Sequence, residues 1–166
     1  PESKLADAPD GVNYRSWEKD GHLTIVRGNA VESSMVADWH FSLMKKYRLK
    51  PYKSGYDNRF AKDFVNRYKE TFGEDIAINV PQDYKVLNNP MRAMEADMRS
   101  KLVVYNNNPV CYWCFCNTGF VLDKFERIMP CKMSREKKID GTAAKIIAYA
   151  TFDWYRSEFM ALVGRG

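Results

Sequence analysis

The stretch YKSGYDNRFAKDFVNRYKETFGEDIAINV, residues 52–80, decides the fold class. Residues 52–57 are short and thinly apolar and read as a strand with turn residues after it. From 58 to 72, Phe60, Phe64, Tyr68 and Phe72 recur every four positions, which places them on one face of an amphipathic helix. Gly73 stops that helix. Residues 75–80 form a nearly continuous apolar run, as a buried strand does. Strands that alternate with helices predict helices packed on the faces of a sheet.

Upstream, residues 22–26 (His-Leu-Thr-Ile-Val) predict a strand followed by a Gly28-Asn29 turn. Residues 31–47 predict a helix, because Val31, Met35, Trp39, Leu43 and Tyr47 recur every four positions and Val36 and Met44 widen the stripe. Lys50-Pro51 ends it. Residues 1–20 read as an N-terminal arm or loop, with Tyr14 and Trp17 able to pin it to a folded domain spanning 21–166.

Downstream, Asn89 can cap a helix with Pro90 in its first turn, and Met91, Met94 and Met98 line one side of it. A methionine stripe at this spacing reads as core. Residues 102–105 and 110–116 predict strands, split by Asn106-Asn107-Asn108-Pro109, and 120–129 predicts another. A last helix runs from Asp140 to about residue 162, with Ala143, Ile147, Ala150 and Trp154 inside. The whole is an α/β fold with a mixed central sheet flanked by helices.

Composition bounds the function. At 166 residues, 45% hydrophobic and 28% charged, the chain is an ordinary globular domain, with a high aromatic share of 14%. It starts without Met, as an excised piece would. No apolar run is long enough to span a membrane, and the first residues lack the apolar core of a signal peptide. There is no GxxxxGK[ST] loop and no GxGxxG turn to cradle a nucleotide. The net charge is +5. Six basic residues (Lys124, Arg127, Lys132, Arg135, Lys137, Lys138) against two acids (Glu126, Glu136) leave +4 of it between 124 and 138. Such a strip is either a solvated loop or a surface that contacts phosphates.

Cys111, Cys114 and Cys116 crowd into one apolar run, and Cys131 stands apart. Cys-x-x-Cys could begin a zinc site, but no second such pair completes it, so buried reduced thiols fit better. His22 and His40 are far apart, and His40 lies beside the apolar stripe of its helix as a boundary residue. No serine or cysteine has a partner constellation for nucleophilic chemistry. Asp57 follows a strand and precedes a helix, where ligand-binding groups of α/β sheets collect. Asp140 opens the last helix directly after the basic run, and reads either as a helix-start carboxylate or as a site residue. Together, these residues support carboxylate–metal chemistry on a phosphodiester.

The ordered pieces of the chain resemble a known family. Tyr14-Arg15-Ser16-Trp17, Gly21-His22-Leu23 and Arg27-Gly28-Asn29 come first, then Gly55-Tyr56-Asp57 and Val80-Pro81-Gln82. The stretch 87–101, Asn108-Pro109-Val110, Trp113 and Asn117 follow, then Lys137-Lys138-Ile139-Asp140-Gly141 before an alanine-rich helix. This order resembles the C-terminal nuclease domain of tailed-bacteriophage large terminase subunits. The resemblance implies an RNase H-like fold and an endonuclease that cuts concatemeric double-stranded viral DNA with two divalent ions, Mg2+ or Mn2+. It implies Asp57 and Asp140 as catalytic and metal-holding acids, with Lys132, Arg135, Lys137 and Lys138 on the DNA backbone. It also implies the terminase ATPase domain, the small terminase subunit and the portal as partners, in the host cytoplasm and without a membrane. The family's first acid lies in a strand ahead of its Tyr-x-x-Trp segment; here Asp7 and Asp10 lie in loop-like sequence, so the first strand is missing from the pattern. A non-cleaving module that docks DNA or the motor is the alternative. A zinc-stabilised domain and another RNase H-like enzyme, such as a resolvase or transposase, are more distant ones.

Overall fold

A computed structural model describes residues 1–59 and 61–164. Phe60, expected on the helical face of the opening stretch, lies outside the described residues. The elements run α1 (Tyr14–Lys19), α2 (Ser33–Tyr47), β1 (Ser54–Tyr56), α3 (Lys62–Phe72), β2 (Ala77–Asn79), α4 (Tyr84–Arg99), α5 (Pro109–Cys116), β3 (Thr118–Leu122), β4 (Ile128–Lys132) and α6 (Asp140–Val163). Short 3-10 turns occupy Glu2–Lys4 and Glu74–Ile76.

The stretch 52–80 folds as strand, helix, strand. β1 and β2 pair in parallel, with Ser54 opposite Ala77 and Tyr56 opposite Asn79. β3 and β4 pair antiparallel as a hairpin, Thr118 opposite Lys132. The fold is mixed α/β, with its parallel and antiparallel parts in two separate two-stranded sheets among the described residues. The core lies between α4, α6 and the hairpin, where Val80, Leu87, Met91, Met94, Ile128, Ile146 and Ala150 are buried together. Full burial of side chains of this size contributes about 1.5–3 kcal/mol each.

Several expectations are corrected. Residues 22–26 form no strand. Their backbone groups go elsewhere: His22 N–H to the Trp17 carbonyl, Ile25 N–H to the Glu18 carboxylate, and the Val26 carbonyl to Glu2 N–H. Residues 102–105 also form no strand. Leu102 N–H returns to Asp97 O to close α4, and Lys101, Asn106 and Asn107 take left-handed φ values of 58, 51 and 52°, which break an extended run. Residues 110–116 are helical, not extended. Asn108 accepts the Cys111 N–H at 3.0 Å and Pro109 occupies the first turn, two helix-start devices that outweigh the β-forming side chains. The predicted strand 120–129 is the hairpin itself, turned at Asp123, whose carboxylate takes the N–H groups of Phe125 and Arg127. α4 begins at Tyr84 because Asp83 caps it, accepting from Lys85 and Val86, so Pro90 falls inside the helix.

The stripe on α2 is the largest reversal. Met35, Trp39 and Tyr47 are exposed, and Ala37 is the buried residue of that helix. α2 instead meets α3 through Phe41 and His40, which pack on Phe64, Tyr68 and Phe72. On α6, Ala150 is buried as expected and Ile147 packs on the core, whereas Trp154 is exposed and Ile146 takes the central place.

Candidate active site

α6 carries the first candidate residue. Its N-cap is Ile139, which offers no side-chain hydrogen bond, so Asp140 is the first helical residue and not the cap. Its carboxylate sits in the favourable field of the helix N-terminus. Residues 133–138 loop back to this point from β4. Within the loop, Lys137 N–H donates to the Ser134 carbonyl and the Ser134 hydroxyl donates to Glu136.

Arg135, Lys138 and Asp140 line one cavity of about 730 Å3. Tyr14, Leu23 and Asp7 stand on its other walls. Tyr14 is held edge-on against Trp17 and Trp113, with ring centroids 5.7 and 6.1 Å away, so α1 is pinned to α5 by an aromatic trio. Burial is the main cause that raises the Tyr14 phenol above its ordinary value, and the charges of Cys114 and Asp140 add to it. Burial likewise raises the Cys114 thiol.

The basic strip does not act as one patch. Arg127 turns inward to the Asp123 carboxylate, at 2.8 Å from Nε and 2.5 Å from the terminal nitrogen. This pair closes the hairpin, and Arg127 holds the Asp123 carboxyl below its ordinary range. Lys124 lies over the Phe125 ring at the hairpin tip. Lys132, Arg135, Lys137 and Lys138 have no ion-pair partner among the described residues. Arg135 and Lys138 share the cavity with Asp140; Lys132 and Lys137 are not among its lining residues.

Asp57 follows β1, and β1 runs against α6. Tyr52 donates to Glu158 and stacks on Phe159, Lys53 lies over Tyr155, and Gly55 abuts Ile147 and Thr151. The chain therefore moves toward the N-terminus of α6. Asp57 lies in the loop directly after the end of β1. Its Oδ1 accepts Arg59 N–H at 3.1 Å. Asp57 does not line the cavity that holds Asp140. A second cavity of about 470 Å3 is lined by residues of β1, α2 and α6, among them His40, Gly55, Ile147 and Thr151. His40 is more than a boundary residue, since its Nδ1 bonds the Tyr68 hydroxyl at 2.6 Å.

The two aspartates suit a hard divalent ion in kind, because such ions take carboxylate oxygens. No group of three or more His, Cys, Asp or Glu side chains among the described residues gathers at one metal point. All four cysteines are free. Cys114, read from the sequence as a buried thiol, and Asn117, part of the family pattern, both contact the start of α6, a placement the sequence did not indicate.

Free cations beside a helix-start carboxylate make a surface suited to phosphates, on a mixed α/β frame. The model of the terminase large subunit endonuclease domain matches residues 2–156, and the chain belongs to that family. Protein YmfN of Escherichia coli K12 is 23% identical over 158 residues, which cover 93% of this chain and 34% of that protein. The crystal structure of the HK97 bacteriophage large terminase superposes with a TM-score of 0.76 at 18% identity, over 90% of this chain and 30% of that one. The likeness to that structure establishes a shared fold. The chain thus spans about a third of each of these two relatives. No helix among the described residues is long and apolar enough to cross a membrane.

Proposed function

We propose that this chain is the DNA-cutting part of a packaging terminase and that Asp57 and Asp140 form its reactive edge. The observation that carries the reading is the cavity in which Arg135 and Lys138 face Asp140 at the start of α6. Cations there hold the phosphate backbone, and the helix N-terminus favours the developing negative charge. Lys132 and Lys137 extend the same loop surface and hold neighbouring phosphates. β1 delivers Asp57 toward the same end of α6, so the two acids approach one phosphodiester from different elements.

Asp57 and Asp140 would hold Mg2+ or Mn2+, which when bound activates water and offsets charge at the phosphorus. Two acids are fewer ligands than a pair of such ions takes. The family's first acid would supply the remainder, and residues 1–13 form no strand to carry it. Residues 21–166 carry the nuclease work in this reading and residues 1–20 brace it. The remaining terminase chain, the small subunit and the portal are the partners, on double-stranded viral DNA in the host cytoplasm.

Nicking of supercoiled plasmid in Mn2+ tests this. Asp57→Asn and Asp140→Asn should each lower the rate about 100-fold or more. Undiminished nicking by either variant removes that acid from the site. Neutralising Lys132, Arg135, Lys137 and Lys138 together should flatten the salt dependence of duplex binding by about four phosphate contacts. Duplex binding without any nicking by the parent chain would favour the docking module instead.

A further inference from the structure

Asp140 lies between two backbone anchors, and both come from one side of α5. Ahead of it, the Asn117 side chain donates from Nδ2 to the Lys138 carbonyl at 3.1 Å. Behind it, the Cys114 side chain packs directly on Gly141, so closely that a Cβ there would stand 3.2 Å from the sulfur. Cys114 and Asn117 are three residues apart and so stand on the same side of the helix end. They are 5% and 2% exposed.

The rest of the local structure serves the same contact. Asn117 also accepts Met133 N–H on its own carbonyl at 3.1 Å, so both ends of the loop 133–138 hang from this one residue. A Cβ at Gly141 would sit 3.2 Å from the Cys114 sulfur and 3.4 Å from its Cβ, so glycine lets α5 and α6 approach this closely. α6 has no side-chain cap of its own. First-turn N–H groups have no partner inside a helix, and here the Cys114 side chain of another helix packs against that turn.

We propose that Cys114 and Asn117 are positioning residues for Asp140. Neither reaches a reacting atom. They fix the backbone on both sides of the acid, so that its carboxylate is already in place when a divalent ion arrives. This rests on the reading of Asp140 as a metal-holding acid. Fixed supports of this kind commonly change metal affinity about 10–100-fold when removed.

Two measurements on the chain test it. Amide hydrogen exchange without metal or DNA should speed about tenfold or more at Gly141 and Thr142 in Cys114→Ala and Asn117→Ala, with the β3–β4 hairpin unchanged. Cys114→Ser keeps a side chain of similar shape and should stay near the parent. In Mn2+ titrations of plasmid nicking, the alanine variants should need about tenfold more ion for half the maximal rate, while the saturating rate moves far less. A residue that only stabilises the fold would lower the rate equally at every Mn2+ concentration. If Cys114→Ala does not fold, Gly141→Ala pushes α5 away with the sulfur retained, and should raise both readouts.

Unchanged exchange at Gly141 and Thr142 overturns the proposal. So does faster exchange with an unmoved Mn2+ requirement while Asp140→Asn is inactive. If Asp140→Asn nicks like the parent, or the parent does not nick, the reading of Asp140 falls by itself. Exchange alone then decides whether α5 holds this turn.

Discussion

The α4–α5–α6 half of the molecule and the α2–α3 half are held together by different means. In the first, hydrogen bonds cross between distant elements: Asn117 to Lys138, Asn88 to Ile128 N–H, and Tyr149 to Asp97. The second adds packed aromatic rings, with Phe64 stacked on Tyr68 at 4.3 Å and Phe41 tilted against it at 5.2 Å, to the α2–α3 hydrogen bonds of His40 with Tyr68 and of Arg67 with Ser34 and Asp38. Hydrogen bonds fix direction and register, while ring packing tolerates small slides. The two acids divide along this line. Asp140 stands on a turn contacted on both flanks, whereas among the described residues the Asp57 side chain accepts one hydrogen bond, from Arg59 N–H two residues along the same loop. A reactive edge built this way has one acid set in place and one that can adjust.

Gly55 is where the two halves meet, and altering it should have the largest effect on stability. A Cβ there would overlap the Thr151 hydroxyl and come within 2.8 Å of Ile147 Cγ2. Thr151 is buried and its hydroxyl already donates to the Ile147 carbonyl, so it cannot move freely. Gly55→Ala should cost about 3 kcal/mol in denaturant unfolding. Adding Thr151→Ala should return a good part of that, as a double-mutant cycle would register. A cost below about 0.5 kcal/mol for Gly55→Ala would mean that β1 does not press on α6, and the path that brings Asp57 toward Asp140 would go with it.

The α2–α3 half should respond to pH through the His40–Tyr68 pair. Burial pushes the Tyr68 phenol up to about 12 from 10.0. The folded state therefore keeps this proton longer than the unfolded one. Stability from the group is complete below pH 10 and declines as pH rises through about 12, by about 2 kcal/mol. Burial lowers His40 from 6.5, so the unfolded chain takes up that proton first and stability also declines as pH falls below 6.5. Tyr68→Phe should cost about 1 kcal/mol near neutrality and lessen the decline above pH 10, leaving the share of Tyr149, whose phenol is also pushed up to about 12 by burial and by Asp97. Retention of the whole alkaline decline in that variant would assign it to other tyrosines.

The sequence was legible where a helix has one apolar face and a clear stop. α3 ends at Gly73 as its spacing predicts, and Met91 and Met94 enter the core. It misled where apolar residues lack a periodic signature. The run 110–116 is apolar on every side, so spacing alone cannot separate strand from helix, and the Asn108-Pro109 start decides it. α2 shows the opposite failure: its stripe is periodic, yet Met35, Trp39 and Tyr47 face outward while Phe41 makes the contacts. Periodicity identifies a face without saying what covers it. Asp57 and Asp140 were visible as acids at element ends. Cys114 and Asn117 were visible as a thiol and a family-pattern residue, but their contact with the α6 start was not, because the bond of Asn117 to Lys138 joins residues 21 apart and exists only once the helices pack.

Thr142 gives the smallest and most discriminating change. It is 2% exposed, and its hydroxyl has no hydrogen-bond partner among the described residues. A buried hydroxyl without a partner has lost its hydration for nothing in return. Thr142→Val keeps the branched shape and the N–H and removes only that group. It should stabilise the chain by about 1 kcal/mol, against the usual direction of core substitutions, and leave exchange at Gly141 unchanged. Destabilisation of the same size would mean that the hydroxyl bonds an ordered water. The turn that carries Asp140 would then be held by solvent as well as by α5, and the contrast between the two acids would be smaller than the side-chain bonds suggest.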